Sequence, residues 1–225
     1  MSRMTDLKTE LASHFPLREI EVAVGDRSYR LTTAEDIELL IERITDEEFR
    51  KDERLPYWAE LWHSAVALAE AIEGNPSLVT DQRVLEIGCG LALPAVVAAS
   101  HGARVTCGDF EPLALEAAEL NLLQNAAFES ADVRLMDFRN PPRERWPLIL
   151  AADVIYEKRF IEPLADFLDH ALEPDGTVLL AEPNRLIAVP FFDALTARGF
   201  SYTRTSRYAS LYNRNVEISV YRITR

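Results

Sequence analysis

The stretch Glu86-Ile87-Gly88-Cys89-Gly90-Leu91-Ala92-Leu93-Pro94 decides the fold. It joins the apolar run Val84-Leu85-Glu86-Ile87 to a helix-length segment from Pro94 to Ser100 that closes at Gly102. Such an order reads as a buried strand, a glycine turn and a helix. Gly88 and Gly90 lack a Cβ, so the main chain can turn sharply there and approach a ligand closely. The helix N-terminus offers free N–H groups and a positive dipole end, which suit an anionic group such as a carboxylate. Glu86, at the carboxyl end of the strand, is placed to face a cationic amino group. A ligand bearing both an amino and a carboxylate group fits this arrangement better than a pyrophosphate does. The competing reading is a turn with a purely structural purpose.

Working outward, strands and helices alternate. Arg104-Val105-Thr106-Cys107 reads as a second strand, and Pro112 opens a helix that runs to about Gln124. Val133-Arg134-Leu135-Met136 and Leu148-Ile149-Leu150-Ala151-Ala152 read as further strands, and a helix follows over about Phe160 to Leu172. Gly176 turns into the strand Thr177-Val178-Leu179-Leu180-Ala181, and a helix near Phe191 to Ala197 precedes two β-rich segments, Tyr202 to Tyr208 and Val216 to Ile223. The pattern predicts an α/β fold, a Rossmann-like doubly wound seven-stranded sheet, mostly parallel, with an antiparallel C-terminal strand. Upstream, Ile20 to Val24 and Ser28 to Leu31 flank Gly25-Asp26 as a hairpin. Thr33 is placed to cap a helix over about 34–45, with Ile37, Leu40, Ile41 and Ile44 on one face. Residues 1–54 are therefore read as an N-terminal hairpin and helix extension and 55–225 as the main domain.

Two acids extend the candidate ligand site. Asp109 follows the second strand about twenty residues after the glycines, where ribose hydroxyls are read in nucleotide-binding α/β folds; its alternative is a capping aspartate ahead of Pro112. Asp137 and Phe138 follow the third strand, beside the place of a nucleoside base. There Asp137 would accept from an exocyclic amine and Phe138 would supply a backbone N–H, the alternative being a surface acid and a core aromatic. The third glycine of the dinucleotide fingerprint is absent, with Leu93 in its place.

Composition narrows the function classes. With 225 residues and a net charge of −13, the chain lacks the basic face that general nucleic-acid binding needs. Its N-terminal segment is charged and lacks a signal-peptide core, and it has no apolar run of the ~18–20 residues a membrane helix needs. The expectation is a cytoplasmic protein. Cys89 and Cys107 have no metal-ligand spacing and read as reduced core residues, so no metal site is expected. Acids outnumber bases between Glu35 and Glu60, whereas from Arg198 to Arg225 the balance reverses. The acidic stretch forms either a lip that attracts a basic substrate or a solvated helix face.

With these residues placed, the chain resembles the class I, seven-strand methyltransferases, and more narrowly methyltransferase family 16, which groups lysine methyltransferases with nicotinamide N-methyltransferase-like sequences. The likeness spans about residues 55–225. Beyond the glycine loop it rests on Leu61-Trp62-His63-Ser64-Ala65-Val66-Ala67-Leu68-Ala69, similar to a tryptophan-led helix ahead of the cofactor loop. It rests also on Ala152-Asp153-Val154-Ile155-Tyr156, similar to an acid-x-x-aromatic motif after the fourth strand. The resemblance implies S-adenosylmethionine as cofactor, S-adenosylhomocysteine as product, and methyl transfer to an amine nitrogen. The acceptor would be a protein substrate with an exposed lysine or, alternatively, a small amine. It also implies that Trp62 borders the cofactor while Asp153 and Tyr156 border the target amine; Asp153 stands at a strand end, where open α/β sheets bind ligands. Glu182, Pro183, Asn184 and Arg185 after the fifth strand either line the substrate cleft or form a plain loop. Tyr57 and Trp58 either form an aromatic wall or staple the next helix. Competing functional readings are an NAD-dependent oxidoreductase, against which the missing third glycine and the antiparallel tail count, and a non-catalytic binding module.

Overall fold

Strands covered by helices on both faces must be apolar on both, and the central strands of this chain meet that condition. The computed structural model describes residues 2–42 and 55–225. The chain begins with α1 (Arg3–His14), the hairpin β1 (Leu17–Val24) and β2 (Arg27–Ala34), and the short α2 (Ile37–Glu42). After Leu55 come α3 (His63–Glu73), β3 (Arg83–Ile87), α4 (Leu93–Ser100), β4 (Arg104–Asp109), α5 (Pro112–Gln124), β5 (Ala131–Leu135) and β6 (Trp146–Ala152). The chain ends with α6 (Ile161–Ala171), β7 (Leu172–Glu182), α7 (Val189–Ala197), β8 (Ser201–Leu211) and β9 (Arg214–Thr224).

Seven strands form one sheet in the order β5-β4-β3-β6-β7-β9-β8, in which β9 alone runs antiparallel to its neighbours. The chain leaves β3 toward β4 and β5 on one side, then returns to place β6 on the other side of β3. At such a reversal the loops leaving adjacent strand ends diverge and open a crevice. Alternate residues of β3 serve opposite layers. Val84 joins the core formed with α3, α4 and α5, whereas Leu85 and Ile87 join the core formed with α6 and α7. Helix α4 is buried along nearly its whole length, as its continuous apolar sequence requires. Among the described residues no helix is long and apolar enough to cross a membrane.

The N-terminal elements pack on the outer layer. Helix α1, which the sequence reading does not assign, buries Leu7 and Leu11, and Arg3 donates to both carboxylate oxygens of Glu119 on α5 at 2.7 and 2.5 Å. Two asparagines one turn apart, Asn121 on α5 and Asn125 at its C-terminal cap, act as a substitute strand for β2. Asn121 Oδ1 accepts from the Thr32 N–H at 2.7 Å and its Nδ2 donates to the Thr32 carbonyl at 3.2 Å. Asn125 does the same for Arg30, at 3.0 and 2.7 Å. Asn121, fully buried, also donates to the Leu91 carbonyl at 3.0 Å and so ties the hairpin to the glycine loop.

Two boundaries differ from expectation. Thr33 does not cap a helix: β2 runs on to Ala34, which pairs with Leu17, and the Thr33 hydroxyl donates to the Ala59 carbonyl. Helix α2 starts only at Ile37 and buries none of its residues; Ile44 and the rest of the expected helix lie outside the described residues. Gly176 lies within β7, which begins at Leu172 because Leu172 pairs with Trp146 across an irregularity in β6.

Asn121→Ala leaves the Thr32 amide and carbonyl and the Leu91 carbonyl without partners in a buried site. The expected loss is about 2–4 kcal/mol in urea unfolding, and a loss below about 0.5 kcal/mol would contradict the bracing role.

Candidate functional site

A crevice open to solvent lies at the β3/β6 reversal, with about 760 Å³ of space in and in front of it. Gly88 and Gly90 form its floor at φ +59° and +48°, a region that costs other residues strain. Space is also short there. A Cβ on Gly88 would lie 2.8 Å from Val154 Cγ1, and one on Gly90 would lie 3.2 Å from the Trp58 carbonyl oxygen. The loop is thus held between the residues before α3 and those after β6, with its backbone bare toward the crevice.

Electrostatics sets this crevice apart. Four carboxylates line it, Glu60, Glu86, Asp109 and Asp153, and among the described residues no Lys or Arg does. Glu86 accepts from the Ala95 N–H in the first turn of α4 at 2.8 Å. Burial nevertheless pushes its carboxyl up to about 8; the Ala95 bond works against that rise and the nearby charge of Asp109 adds to it. Asp109 accepts from Gly90 N–H and Glu111 N–H, both at 3.0 Å, so it caps the turn into α5 and also braces the glycine loop. Burial raises it to about 6 against those hydrogen bonds. Two buried carboxyls with no cation beside them among the described residues suit a ligand that brings positive charge.

Aromatic rings form the opposite wall. Tyr57 meets Trp62 and Tyr156 edge-on at 5.9 and 5.6 Å, and Trp62 Nε1 donates to the Tyr57 carbonyl at 2.8 Å. Phe138 lines the crevice through its ring, which sits beneath Gly88 and packs on Phe160 and Phe167. Tyr156 is largely enclosed, and burial drives its phenol well above the ordinary range.

A second cavity of about 960 Å³ adjoins the first. Leu55, Tyr57, Trp62, Asp153 and Tyr156 line both, and Glu157 and Arg185 line the second alone. Asp153 stands between the two with φ +61°, a strained backbone for a residue with a side chain. Its N–H donates to the Ala181 carbonyl at 3.0 Å. Its carboxylate accepts from the buried Ser64 hydroxyl at 2.9 Å and is ion-paired with Arg185.

Of the residues singled out in the sequence, Trp62, Glu86, Gly88, Gly90, Asp109, Phe138, Asp153 and Tyr156 come together around this crevice. Asp137 is not among its lining residues, and its carboxylate accepts from the Arg139 backbone and guanidinium. Tyr57 and Trp58, ambiguous in sequence, both line the crevice. Ser64 escaped the sequence reading, because its partner lies 89 residues away. The acidic stretch before Glu60 falls partly on 43–54, outside the described residues.

The fold recurs in solved methyltransferase structures. A putative RNA methyltransferase from Pyrococcus horikoshii superposes with TM-score 0.58 at 14% identity, over 100% of this chain and 97% of that one. The ribosomal protein L11 methylase from Lactobacillus delbrueckii subsp. bulgaricus gives TM-score 0.55 at 24% identity, over 73% and 80%. In sequence, the chain is 33% identical to the electron transfer flavoprotein beta subunit lysine methyltransferase of Xenopus laevis over 132 residues. That is 58% of this chain and 53% of the relative, so the chain spans about half the length of that relative. It is 29% identical to the protein N-lysine methyltransferase METTL21A of Xenopus tropicalis over 170 residues, 73% of this chain and 76% of the relative. A family model described as lysine methyltransferase matches residues 45–197. A glycine loop at the sheet reversal, a cation-seeking crevice and this match over most of the chain agree: the chain belongs to the lysine methyltransferase family, within the class I S-adenosylmethionine-dependent methyltransferases.

Proposed function

We propose that this chain transfers a methyl group from S-adenosylmethionine to the side-chain nitrogen of a lysine in a protein substrate. The observation that carries the reading is the lining of the crevice, with four carboxylates and, among the described residues, no basic one around two side-chain-free loop positions. S-adenosylmethionine, when bound, supplies a methyl group on a sulfonium sulfur that is already a good leaving group. In this reading Gly88 and Gly90 admit the main chain to the ligand, Glu86 holds its amino group, and Asp109 holds the ribose hydroxyls. Trp62 and Phe138 enclose it, whereas Asp137, whose carboxylate is taken up by Arg139, is assigned no contact with it.

The chain's part is alignment and exclusion of water, which are worth several powers of ten when reacting atoms are held in line. Asp153, fixed by Ser64 and Arg185, presents a carboxylate oxygen to an amine N–H and sets the direction of its lone pair. Tyr156 stays neutral and, with Tyr57, forms an aromatic wall that favours cationic groups. A protein substrate is supported by the similarity to lysine methyltransferases that act on proteins and by the carboxylates at the crevice, which attract a lysine-bearing surface. The two free cysteines support a reducing, cytoplasmic setting. An NAD-dependent oxidoreductase is disfavoured by Leu93 in place of the third fingerprint glycine and by the antiparallel C-terminal strand.

Tritiated S-adenosylmethionine incubated with a cell lysate and this protein is expected to label a discrete protein band. Label confined to small molecules would replace the protein-lysine reading with a small-amine one. Asp153→Ala is expected to keep S-adenosylhomocysteine binding within about threefold in calorimetry and to lower band labelling by roughly a hundredfold; undiminished labelling would remove Asp153 from the mechanism.

Glu86 yields a stability prediction. Its folded carboxyl sits above its unfolded value of 4.5, so the folded state gains relative stability below about 4.5 and loses it as pH rises toward about 8. Glu86→Gln removes that loss. Without ligand the variant should melt higher than the parent at pH 8.5, with a gain on the order of a few kcal/mol, and should match it near pH 4.5. Its affinity for S-adenosylmethionine should fall. Equal melting temperatures at pH 8.5 would show that Glu86 is not a strained ionised group.

A further inference from the structure

The acceptor side of the crevice poses a chemical problem. A lysine side chain arrives in water as an ammonium ion, and only the neutral amine has the lone pair that methyl transfer requires. Asp153 carries a negative charge at the meeting point of the two cavities, and an unpaired carboxylate there would hold the ammonium in its unreactive form. Two described neighbours in the cavity lining are unsuited to take the proton. Tyr156 is a buried phenol held far above neutrality, and Glu157 is ion-paired with Arg159 at 2.6 Å.

The chain places a cation against this carboxylate. Arg185 follows β7, and its guanidinium pairs with Asp153 and lies 3.6 Å from the buried Glu182. The geometry is braced from several elements. The Arg185 N–H donates to Glu182 Oε2 at 2.9 Å, Ser64 on α3 donates to the other Asp153 oxygen, and Asn184 accepts from the Ser219 hydroxyl of β9 at 2.6 Å. Glu182 is itself raised by burial, which lessens its pull on the guanidinium. Tyr57 also lines this second cavity. The buried Nε2 of His63, next to Ser64 in the chain, and Nη1 of Arg185 have no hydrogen-bond partner among the described residues, so Arg185 meets Asp153 as an ion pair. Arg185 is about one-third exposed and reaches the second cavity, where an acceptor would enter.

We propose that Arg185 is a positioning residue that cancels the charge of Asp153, so that the acceptor lysine is held in this cleft as the neutral amine. Asp153 then acts as a hydrogen-bond acceptor that orients the nitrogen and not as a counter-ion that traps the ammonium. The ammonium proton passes to bulk water before transfer. The freed lone pair forms the new N–C bond, and the electron pair of the broken C–S bond stays on sulfur. The positive sulfonium acts in the same direction as Arg185, since a cation near an amine favours its neutral form.

This inference rests on the lysine-methylation reading, and its test separates the two. Labelling of the strongest lysate band by tritiated S-adenosylmethionine is followed from about pH 6.5 to about pH 10 for the parent, Arg185→Gln and Arg185→Lys, with lysate dilution giving relative KM. Arg185→Gln should move the rising limb up by about one pH unit, so that labelling is about tenfold slower near pH 7 and returns to within about threefold of the parent near pH 10. Its relative KM should fall together with kcat, because an unpaired Asp153 binds the ammonium more tightly but unproductively. Arg185→Lys should keep the parental midpoint. A rate lowered equally at every pH, with an unchanged midpoint, would overturn the proposal and leave Arg185 a structural residue. A parent that labels no band at any pH would instead sink the methylation reading itself.

Discussion

A carboxyl group buried at the end of a parallel strand, with one backbone N–H as its partner, resists ionisation until a cation arrives. Glu86 is in that position, and the other features of the crevice follow from having to keep it there. It is only 2% exposed, and its neighbour in charge is a second buried acid, Asp109, rather than a lysine or arginine. Such a pair does little for the stability of the ligand-free protein. It is tolerated because the sheet reversal between β3 and β6 opens the crevice at the strand ends and because the backbone N–H groups of Gly90, Ala95 and Glu111 share the cost. The strained acids and the glycine loop are therefore one device, in which the glycines admit the ligand and the acids supply the attraction.

The rest of the fold stiffens that device. Asn121 joins β2, α5 and the carbonyl of Leu91 in one fully buried set of hydrogen bonds, so the N-terminal hairpin acts on the glycine loop and not only on the outer layer. On the acceptor side, the left-handed backbone of Asp153 is held by Ala181, Ser64 and Arg185, which come from three different elements. Orientation-based catalysis needs this over-determination, since small displacements of a reacting nitrogen are costly.

The parts legible in the sequence were those whose determinants are local or lie at fixed spacing. Gly88 and Gly90 between an apolar strand and an apolar helix, Asp109 one strand later and the alternating runs from Val84 to Ile223 announce the sheet and the crevice because each depends on a few adjacent residues. The antiparallel tail was legible for the same reason. Helix α1 was not, because only Leu7 and Leu11 of its residues are buried, and its anchor is an ion pair to Glu119, 116 positions away. Thr33 misled because a hydroxyl before a periodic run resembles a cap, whereas pairing of Ala34 with Leu17 keeps the strand going. The contacts of Asp153 with Ser64 and Arg185 depend on which strands become neighbours, and spacing carries no trace of that. Asp137 followed its strand as expected, yet its carboxylate pairs with Arg139 two residues away and does not line the crevice, and spacing alone does not reveal which way such a side chain turns.

Calorimetric titration with S-adenosylmethionine, run at pH 7 in buffers of differing ionisation enthalpy, tests the central claim most directly. A crevice built around an unionised Glu86 predicts binding accompanied by release of about one proton as the cation forces the carboxyl to ionise, with no comparable heat from NAD. Absence of S-adenosylmethionine binding, or binding with no change in protonation, would contradict the account.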